Sequence, residues 1–255
     1  MKKKVLILGA SGNIAPYLLP GLDPYYDLCL TDIVPHPDEK PIINVDITSY
    51  QQVYNVAQGM DAIMNFTVVR DDPDQSFHVN TLGAWHVMKA ASELGINKVV
   101  HTGPQSVRNA YDQDFDIVDV PRSPGVGYYG MTKFLAMEIC RAYAREYDIQ
   151  TISFVFNGLG PRPTEKITEQ DFPPFTIIWE DLQLACRLAL EIESVPENFQ
   201  DFNMLSYEVM GSIVWKKQGK YSVLNQRKSG KTTSNVQSMT CKTGNFTDTL
   251  ELRTA

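Results

Sequence analysis

Short apolar runs alternate with longer stretches of helical spacing along most of this chain. Residues 5–8 form the first apolar run, a glycine turn follows it, and residues 14–22 have the spacing of a helix. The later predicted strands are residues 28–32, 42–46, 61–66, 98–102, 151–156 and 198–205, and the later predicted helices are residues 49–58, 75–94, 127–147 and 177–190. This alternation predicts a doubly wound α/β fold, in which right-handed crossovers join parallel strands and helices cover both faces of the sheet.

Three segments differ in character and predict the domain organisation. Residues 1–160 carry the alternating pattern and are predicted to form one domain. Four prolines between residues 161 and 174 mark a loop-rich boundary, and residues 161–217 are predicted to form a small C-terminal lobe interleaved with the sheet. Residues 218–255 are polar and have no sustained apolar period. They are interpreted either as a flexible tail or as a divergent C-terminus that lacks elements of the lobe.

Composition limits the classes of partner. The chain has 255 residues, of which 43% are hydrophobic and 21% charged, as is typical of globular proteins. Its net charge of −7 argues against nucleic acid, because proteins that bind phosphate backbones gain affinity from Lys and Arg. No apolar run reaches the length of about 20 residues that a membrane span requires. We therefore expect a soluble, cytoplasmic protein with neither a nucleic-acid nor a membrane partner.

The cysteines give no sign of a metal site or a disulfide framework. They are Cys29, Cys140, Cys186 and Cys241, which are widely spaced and have no His at a metal-ligand interval. Structural thiols in a reducing cytosol are the predicted state, and no metal is expected.

A glycine-rich turn follows the first predicted strand and opens the first predicted helix. It reads Gly9-Ala10-Ser11-Gly12-Asn13-Ile14-Ala15. Glycines permit a tight turn and a close approach of backbone N–H groups to a pyrophosphate, and the N-terminus of the helix supplies partial positive charge. Ala15 stands where a third glycine would allow close packing of helix on strand, and Pro16 suits a first helical turn. The turn predicts a Rossmann dinucleotide-binding site.

Asp32 indicates which dinucleotide is bound. It ends the second predicted strand, 20 residues after Gly12. A carboxylate there accepts hydrogen bonds from the adenosine ribose hydroxyls and repels a 2′-phosphate, and no Arg follows closely enough to offset that repulsion. We therefore predict NAD rather than NADP.

Tyr129 and Lys133 are candidates for the catalytic groups. They lie four residues apart at the start of a predicted helix, so their side chains share one face. A nearby ammonium lowers the pKa of a tyrosine and makes it a competent base for a substrate hydroxyl, while hydride leaves the same carbon for nicotinamide. Taken alone, this spacing is common by chance and is more typical of a solvated helix face, but its position after the fifth predicted strand favours a catalytic pair.

In this order and context the motifs resemble those of the extended short-chain dehydrogenase/reductases, the NAD-dependent epimerase/dehydratase family, over about residues 3–205. The shared features are Gly9-Ala10-Ser11-Gly12, Asp32, Asp46-Ile47, Asn80-Thr81-Leu82-Gly83, Tyr129-Gly130-Met131-Thr132-Lys133, and Asn157 with Gly160-Pro161. In length and layout the chain is most similar to the uronate dehydrogenases of that family. The resemblance implies oxidation, reduction or epimerisation at a hydroxyl-bearing carbon of a sugar, sugar acid or nucleotide sugar.

The resemblance also implies roles for single residues. Tyr129 would be the catalytic base, Lys133 would bind the nicotinamide ribose and tune Tyr129, and Asp46 would hydrogen-bond the adenine. The residues expected to contact NAD are Gly9, Ser11, Gly12, Asn13, Ile14, Asp32, Asp46, Ile47, Phe66, Thr67, Asn80, Thr102, Tyr129 and Lys133. Residues 1–160 would then be the NAD-binding domain and 161–217 the substrate lobe, and two chains would form a homodimer.

The chain departs from the family pattern at the fifth long strand, where it reads His101-Thr102-Gly103-Pro104-Gln105-Ser106. Pro104 stands where the family has a Ser or Thr hydroxyl that binds the substrate oxygen, and proline offers neither a hydroxyl nor an N–H. Loss of one such hydrogen bond costs on the order of 10²-fold in rate. Ser106 is the first candidate to replace the hydroxyl, and Thr102 is the second. A rival hypothesis is therefore a catalytically weak NAD-binding sensor or regulatory protein.

Overall fold

The computed structural model describes residues 1–104, 124–156, 158–162, 176–206, 224–225 and 236–240. The strands are β1 (Lys4–Leu8), β2 (Asp27–Asp32), β3 (Ile43–Asn44), β4 (Ala62–Asn65), β5 (Lys98–Pro104), β6 (Gln150–Phe156), β7 (Gly158–Gly160), β8 (Thr176–Ile178), β9 (Phe199–Leu205), β10 (Leu224–Asn225) and β11 (Val236–Thr240). The α-helices are α1 (Ala15–Leu22), α2 (Tyr50–Ala57), α3 (Pro73–Ser76), α4 (Gly83–Leu94), α5 (Tyr128–Tyr147) and α6 (Trp179–Glu191). A π-helical turn, Phe77–Leu82, joins α3 to α4, and a short 3₁₀ turn, Pro196–Asn198, precedes β9.

One large sheet organises the molecule. Its strand order is β10-β11-β9-β6-β5-β4-β1-β2-β3, and β7 pairs separately with β8. Every pairing in the large sheet is parallel except that of β10 with β11. The direction of the strand order reverses at β1, which lies between β2 and β4, and ligands of such sheets bind in the crevice outside the carboxyl ends of the strands at this point. The predicted doubly wound α/β fold is confirmed.

Apolar side chains leave β1 on both faces and enter two separate cores. Val5 and Ile7 pack in a cluster with residues of α1 and α6. Leu6 and Leu8 pack on the opposite face with residues of α2, α4 and α5. All four side chains are at most 1% exposed. Burial on both faces explains why this strand reads as a continuous apolar run rather than an alternating one.

Two helix ends, the start of α1 and the end of α4, follow from local sequence. Pro16 lies in the first turn of α1, where its missing N–H has no partner to lose. Gly95 ends α4 with a φ of 69°, in the left-handed region that favours glycine. The predicted helix over residues 75–94 is confirmed, and it contains a π-helical turn that the hydrophobic pattern does not reveal.

Most of the described part of the predicted lobe, residues 176–206, is built onto the large sheet. β9 pairs with β6, and α6 packs against α1 in the same apolar cluster. Ile177 and Ile178, predicted as the start of a helix, are instead extended in β8, where they pair with Leu159 and Gly160. Both isoleucines are fully buried, and β-branched residues suit a strand in that setting.

Two short strands lie within the polar segment 218–255, where the sequence pattern predicts no element. β11 pairs with β9 over five residues, and β10 pairs with β11. A sheet pairs through backbone groups, which every non-proline residue carries, so strand pairing does not require an apolar period. Within the described residues, no helix combines the length and the apolar character needed to cross a membrane.

Candidate active site

The glycine turn between β1 and α1 is held against β2 and against the end of β4. The N–H groups of Gly9 and Ala10 both donate to the carbonyl of Thr31, at 3.0 and 2.9 Å. Gly9 has a φ of +82°, and a Cβ atom there would lie 2.8 Å from the backbone N of Thr67. Glycine is therefore needed at this position both for its backbone conformation and for the close approach of a second backbone segment.

Asp32 connects this turn to the segment after β2. Its Oδ2 atom accepts a hydrogen bond from the backbone N of Ser11 at 2.9 Å, and its Oδ1 atom accepts from the N atoms of Ile33 and Val34 at 2.7 and 3.3 Å. The Ser11 hydroxyl donates to the carbonyl of Val34 at 2.9 Å. A carboxylate oxygen has about two acceptor sites, so Oδ2, which has one donor among the described residues, can also accept from a ribose hydroxyl.

The N-terminus of α1 is open to an anion. No side chain caps its first turn, and no residue in that turn is acidic. Ile14 is buried at the start of the helix, while Gly12 and Asn13 in the preceding turn are exposed. The first N–H groups of a helix lack intrahelical partners and attract negative charge. The predicted residues 11–14 therefore fit the pyrophosphate of a dinucleotide.

Asp46 and Ile47, expected at the adenine, lie in the turn before α2. Asp46 Oδ1 accepts hydrogen bonds from both the N and the Oγ1 of Thr48, each at 2.8 Å. Ile47 is 4% exposed, and a Cβ atom on Gly83 would lie 3.0 Å from its Cγ1. The Ile47 carbonyl also lies 2.8 Å from Nδ1 of His86. The Ile47 side chain thus packs on α4, and of this pair only the half-buried Asp46 carboxylate faces the surface.

The segment after β4 forms the wall against which the glycine turn packs. The Oδ1 atom of Asn65 accepts from the N and Oγ1 of Thr67, at 3.1 and 2.7 Å. Phe66 is 5% exposed, and its N–H donates to the carbonyl of Leu8 at 2.9 Å. Phe66 and Thr67, both predicted NAD contacts, therefore lie beside Gly9 at the carboxyl ends of β1 and β4.

Asn80 fixes the other end of this segment onto α5. Its Oδ1 accepts from the N–H of Val69 at 2.9 Å, and its Nδ2 donates to the carbonyl of Val69 at 2.8 Å and to Oγ1 of Thr132 at 3.0 Å. Both amide donors of this side chain, which is 2% exposed, are committed within the protein. The Asn80 side chain therefore positions segment 66–70 relative to α5, and its expected contact with NAD stays a prediction.

Tyr129 and Lys133 lie in the first two turns of α5, as predicted. Burial raises the pKa of Tyr129, whereas the charge of Arg70 and a hydrogen bond from Arg70 lower it. Lys133 is 3% exposed, and burial, with a smaller contribution from Arg70, lowers its pKa to about 8. The Cζ atom of Arg70 lies 5.4 Å from the centroid of the Tyr129 ring. The cation that contacts the Tyr129 ring is therefore Arg70, and the tuning of Tyr129 by Lys133 stays a prediction.

The hydroxyl that the family carries on the fifth long strand has no replacement among the described candidates. Pro104 ends β5 in register with Phe156. The Thr102 hydroxyl donates to the carbonyl of Asn65 at 3.4 Å, and Thr102 is 5% exposed, so it bonds within the sheet. Ser106 lies outside the described residues.

Sequence reasoning did not identify Arg70 or Asn65. Both come at or just after the carboxyl end of a parallel strand, where side chains reach the ligand crevice, and this position was the available signal for Arg70. An Asn two residues before a Thr is typical of a turn in which the side chain binds the following backbone, and this was the signal for Asn65.

Comparison with known proteins agrees with this geometry. Residues 5–176 match the model of the NAD dependent epimerase/dehydratase family. The chain is 28% identical over 169 residues to the uronate dehydrogenase of Pseudomonas putida. This alignment covers 63% of this chain and 62% of that protein. It is 27% identical over 172 residues to the uronate dehydrogenase of Pseudomonas syringae pv. tomato, and this alignment covers 64% of this chain and 62% of that protein. The chain thus spans 62% of the length of these curated relatives.

Solved structures share the fold. A mutated uronate dehydrogenase has a TM-score of 0.70 at 21% identity, covering 81% of this chain and 75% of that one. The glucuronic acid dehydrogenase of Chromohalobacter salexigens has a TM-score of 0.69 at 20% identity, covering 81% and 77%. The family match extends over more than half of the chain and confirms both the resemblance and the predicted cofactor, NAD. The chain therefore belongs to the NAD dependent epimerase/dehydratase family.

Proposed function

We propose that the protein is an NAD-dependent oxidoreductase or epimerase that acts at a hydroxyl-bearing carbon of a sugar, sugar acid or nucleotide sugar. The observation that carries this proposal is segment 66–70, which packs against Gly9 at one end and places Arg70 beside Tyr129 at the other. A cofactor seated on the glycine turn would therefore extend along this segment toward α5. The names of the two Pseudomonas relatives support a sugar acid as the substrate class.

The residues of α5 would manage the proton of the substrate hydroxyl. Bound NAD would supply the hydride acceptor. The Tyr129 Oη would take the hydroxyl proton, and because burial raises the pKa of Tyr129, its phenolate depends on nearby positive charge. Arg70 contributes that charge directly at the ring. Lys133, with a pKa of about 8, would bind a ribose hydroxyl of the cofactor and add charge mainly below that pH.

Charge along the crevice favours one orientation of the cofactor. Asp32 lies at the glycine turn, where it would accept hydrogen bonds from the adenosine ribose. Arg70 and Lys133 lie at the catalytic end. The nicotinamide half would therefore point toward Tyr129, as hydride transfer at a carbon beside its hydroxyl requires.

A second candidate is a catalytically weak NAD-binding sensor or regulatory protein. Two observations favour it. Pro104 supplies no hydroxyl at the end of β5, and the Thr102 hydroxyl is bonded to the carbonyl of Asn65. In that case the cofactor site would be retained while turnover is low.

Calorimetric titration and one variant test these candidates. NAD should bind the wild-type protein tightly and NADP much more weakly. Tyr129→Phe should abolish turnover on a panel of sugar acids and nucleotide sugars, because the general base is lost, and should leave NAD affinity nearly unchanged. Equal, negligible turnover of wild type and variant with intact NAD binding would favour the sensor. Binding of neither cofactor would refute both candidates.

We also propose that two chains form a homodimer through α5 and the helical segment that packs on it. Phe77 and Leu82 on the π-helical turn and Leu135 on α5 are large apolar side chains with 42%, 37% and 36% exposure. Light scattering coupled to gel filtration should give twice the chain mass. A monomer at high protein concentration would refute this assembly.

A further inference from the structure

Arg70 is a cation without a carboxylate partner among the residues that the structure describes. Its side chain is exposed, and its Cζ lies 5.4 Å from the centroid of the Tyr129 ring. None of the ion pairs between described residues includes Arg70. The neighbouring Asp72 uses its Oδ1 to accept from the N–H of Gln75 at 2.7 Å, at the start of α3. The guanidinium also hydrogen-bonds Tyr129, and since it has five N–H donors, others are available to a ligand.

The backbone beside Arg70 is fixed from two directions. The N–H and the carbonyl of Val69 are both bound by the Asn80 side chain, and the same carbonyl accepts from the Ser76 hydroxyl at 3.0 Å. Asn80 in turn donates to Thr132 on α5. A group held in place before binding loses less conformational entropy when the ligand arrives. These contacts therefore hold the backbone from which the Arg70 side chain extends toward α5.

Two cations lie near Tyr129 in the described part of the chain. Arg70 lies at its ring, and Lys133 lies one helical turn further along α5. Neither cation has an ion-pair partner within the described ranges, although the whole chain carries a net charge of −7. An anionic substrate would gain a favourable interaction here that a neutral sugar would not.

We propose that Arg70 binds the carboxylate of the substrate and so selects sugar acids over neutral sugars at this site. The inference rests on the proposed function, which supplies the reacting hydroxyl at Tyr129. A guanidinium presents paired N–H donors that match the two oxygens of a carboxylate. Because Arg70 contacts the Tyr129 ring, the carboxylate and the reacting hydroxyl must lie within the span of one sugar ring.

Calorimetric titration of the NADH-saturated protein tests the assignment with three probes: glucuronate, glucose and UDP-glucose. Glucuronate should bind the wild-type protein, and Arg70→Gln should weaken that binding about 10- to 100-fold, as expected for the loss of hydrogen bonds to a charged group. Glucose should bind both proteins equally weakly. Arg145→Gln is the matched control, since it removes an exposed arginine of α5 that pairs with Glu197 away from Tyr129, and it should change no affinity.

Three other results would contradict the assignment of Arg70 to the substrate carboxylate. Equal glucuronate affinity of wild type and Arg70→Gln would do so, as would a wild-type protein that does not bind glucuronate. A loss confined to UDP-glucose would show that Arg70 binds a phosphate instead. Failure of the proposed function is detected separately, as absent NADH binding or as turnover that Tyr129→Phe leaves unchanged.

Discussion

The crevice at the carboxyl ends of the strands has two polar regions that are built in opposite ways. At the glycine turn, one acid, Asp32, accepts hydrogen bonds from three backbone N–H groups. At the Tyr129 end, two cations, Arg70 and Lys133, lie near Tyr129, and the supporting bonds come from the Asn80 side chain, which binds the backbone of Val69 and the hydroxyl of Thr132 on α5. The first region depends on backbone shape and one carboxylate. The second depends on particular side chains from distant parts of the chain.

This difference assigns different tasks to the two regions. A backbone turn recognises what all dinucleotides share, because a pyrophosphate needs only N–H groups and a helix N-terminus. Side chains distinguish one substrate from another, because they set charge and shape at the reacting carbon. Substitutions at the turn should therefore affect folding and cofactor binding, and substitutions around Tyr129 should affect electrostatics and chemistry.

Gly9→Ala should cause the largest effect on folding. The new Cβ would meet the backbone N of Thr67 at 2.8 Å, on a backbone with a φ of +82°. Left-handed strain and overpacking together should lower the free energy of unfolding by about 2 to 5 kcal/mol, measured by denaturant unfolding. Gly95→Ala is the matched control, since its φ is +69° and its Cβ would meet nothing within 4 Å. Equal losses in the two variants would contradict the close approach at Gly9.

Lys133→Met should stabilise the cofactor-free protein at neutral pH. Burial lowers the pKa of Lys133 from 10.5 to about 8, so between these values the unfolded chain binds a proton that the folded protein has released. The wild type is therefore destabilised in full below about pH 8 and recovers as the pH rises toward 10.5. At about 1.4 kcal/mol per pKa unit, the variant should gain about 3 kcal/mol at pH 7.

The pH dependence is the decisive readout for Lys133. The stability difference between Lys133→Met and the wild type should shrink steadily from pH 8 to pH 10 in denaturant unfolding. Lys89→Met, which removes a half-buried lysine paired with Glu93, should show no gain at pH 7. A constant difference across this pH range would indicate a packing effect rather than the cost of a buried charge.

Asn80→Ala should test whether Asn80 holds Arg70 and α5 in place without itself taking part in the reaction. Removal of the side chain leaves the N–H and carbonyl of Val69 without their partner, and should lower the free energy of unfolding by about 2 kcal/mol. Turnover should fall while NAD affinity holds, because Arg70 loses its anchor. Asn55→Ala, in which only a bond to Gln51 on an exposed helix face is lost, should stay within about 0.5 kcal/mol. Unchanged turnover in Asn80→Ala would contradict the positioning role.

Asp32→Asn should give the smallest change, mainly in cofactor binding, with a small loss of stability because one of the two oxygens that accept backbone N–H groups becomes an NH2 donor. The neutral amide keeps one acceptor oxygen but no longer repels a 2′-phosphate, so NAD affinity should fall about tenfold and the preference for NAD over NADP should narrow. Calorimetric titration with both cofactors measures this. Asp61→Asn, which alters an acid that accepts from the N–H of Lys4 away from the turn, should leave both affinities unchanged. If Asp32→Asn kept the same preference for NAD over NADP as the wild type, Asp32 would not select the cofactor.

Prediction from the sequence succeeded for elements whose signals are local. The continuous apolar run of β1, the left-handed Gly95 and the four-residue spacing of Tyr129 and Lys133 all reflect the geometry of a single strand or helix. Prediction was less successful where partners lie far apart. By periodicity alone, the fully buried Ile177 and Ile178 fit either a strand or a helix. They form a strand because they pair with β7. Residues 236–240, within the polar C-terminal segment, have no sustained apolar period, and they form a strand by pairing with β9.

The sequence by itself determined the fold class, the glycine turn, the acid that ends β2 and the Tyr129/Lys133 helix, because each depends on backbone conformation or on periodicity within one element. Only the tertiary structure decided that Asn80 binds Val69 and Thr132, that Ile47 packs on α4, and that Arg70 is the cation at Tyr129. Asn80 and Thr132 are 52 residues apart, and spacing along a chain does not specify which side chains meet across such a distance. Those contacts form when crossovers bring separate strands to one edge of the sheet. The charged side chains around Tyr129 come together at that edge.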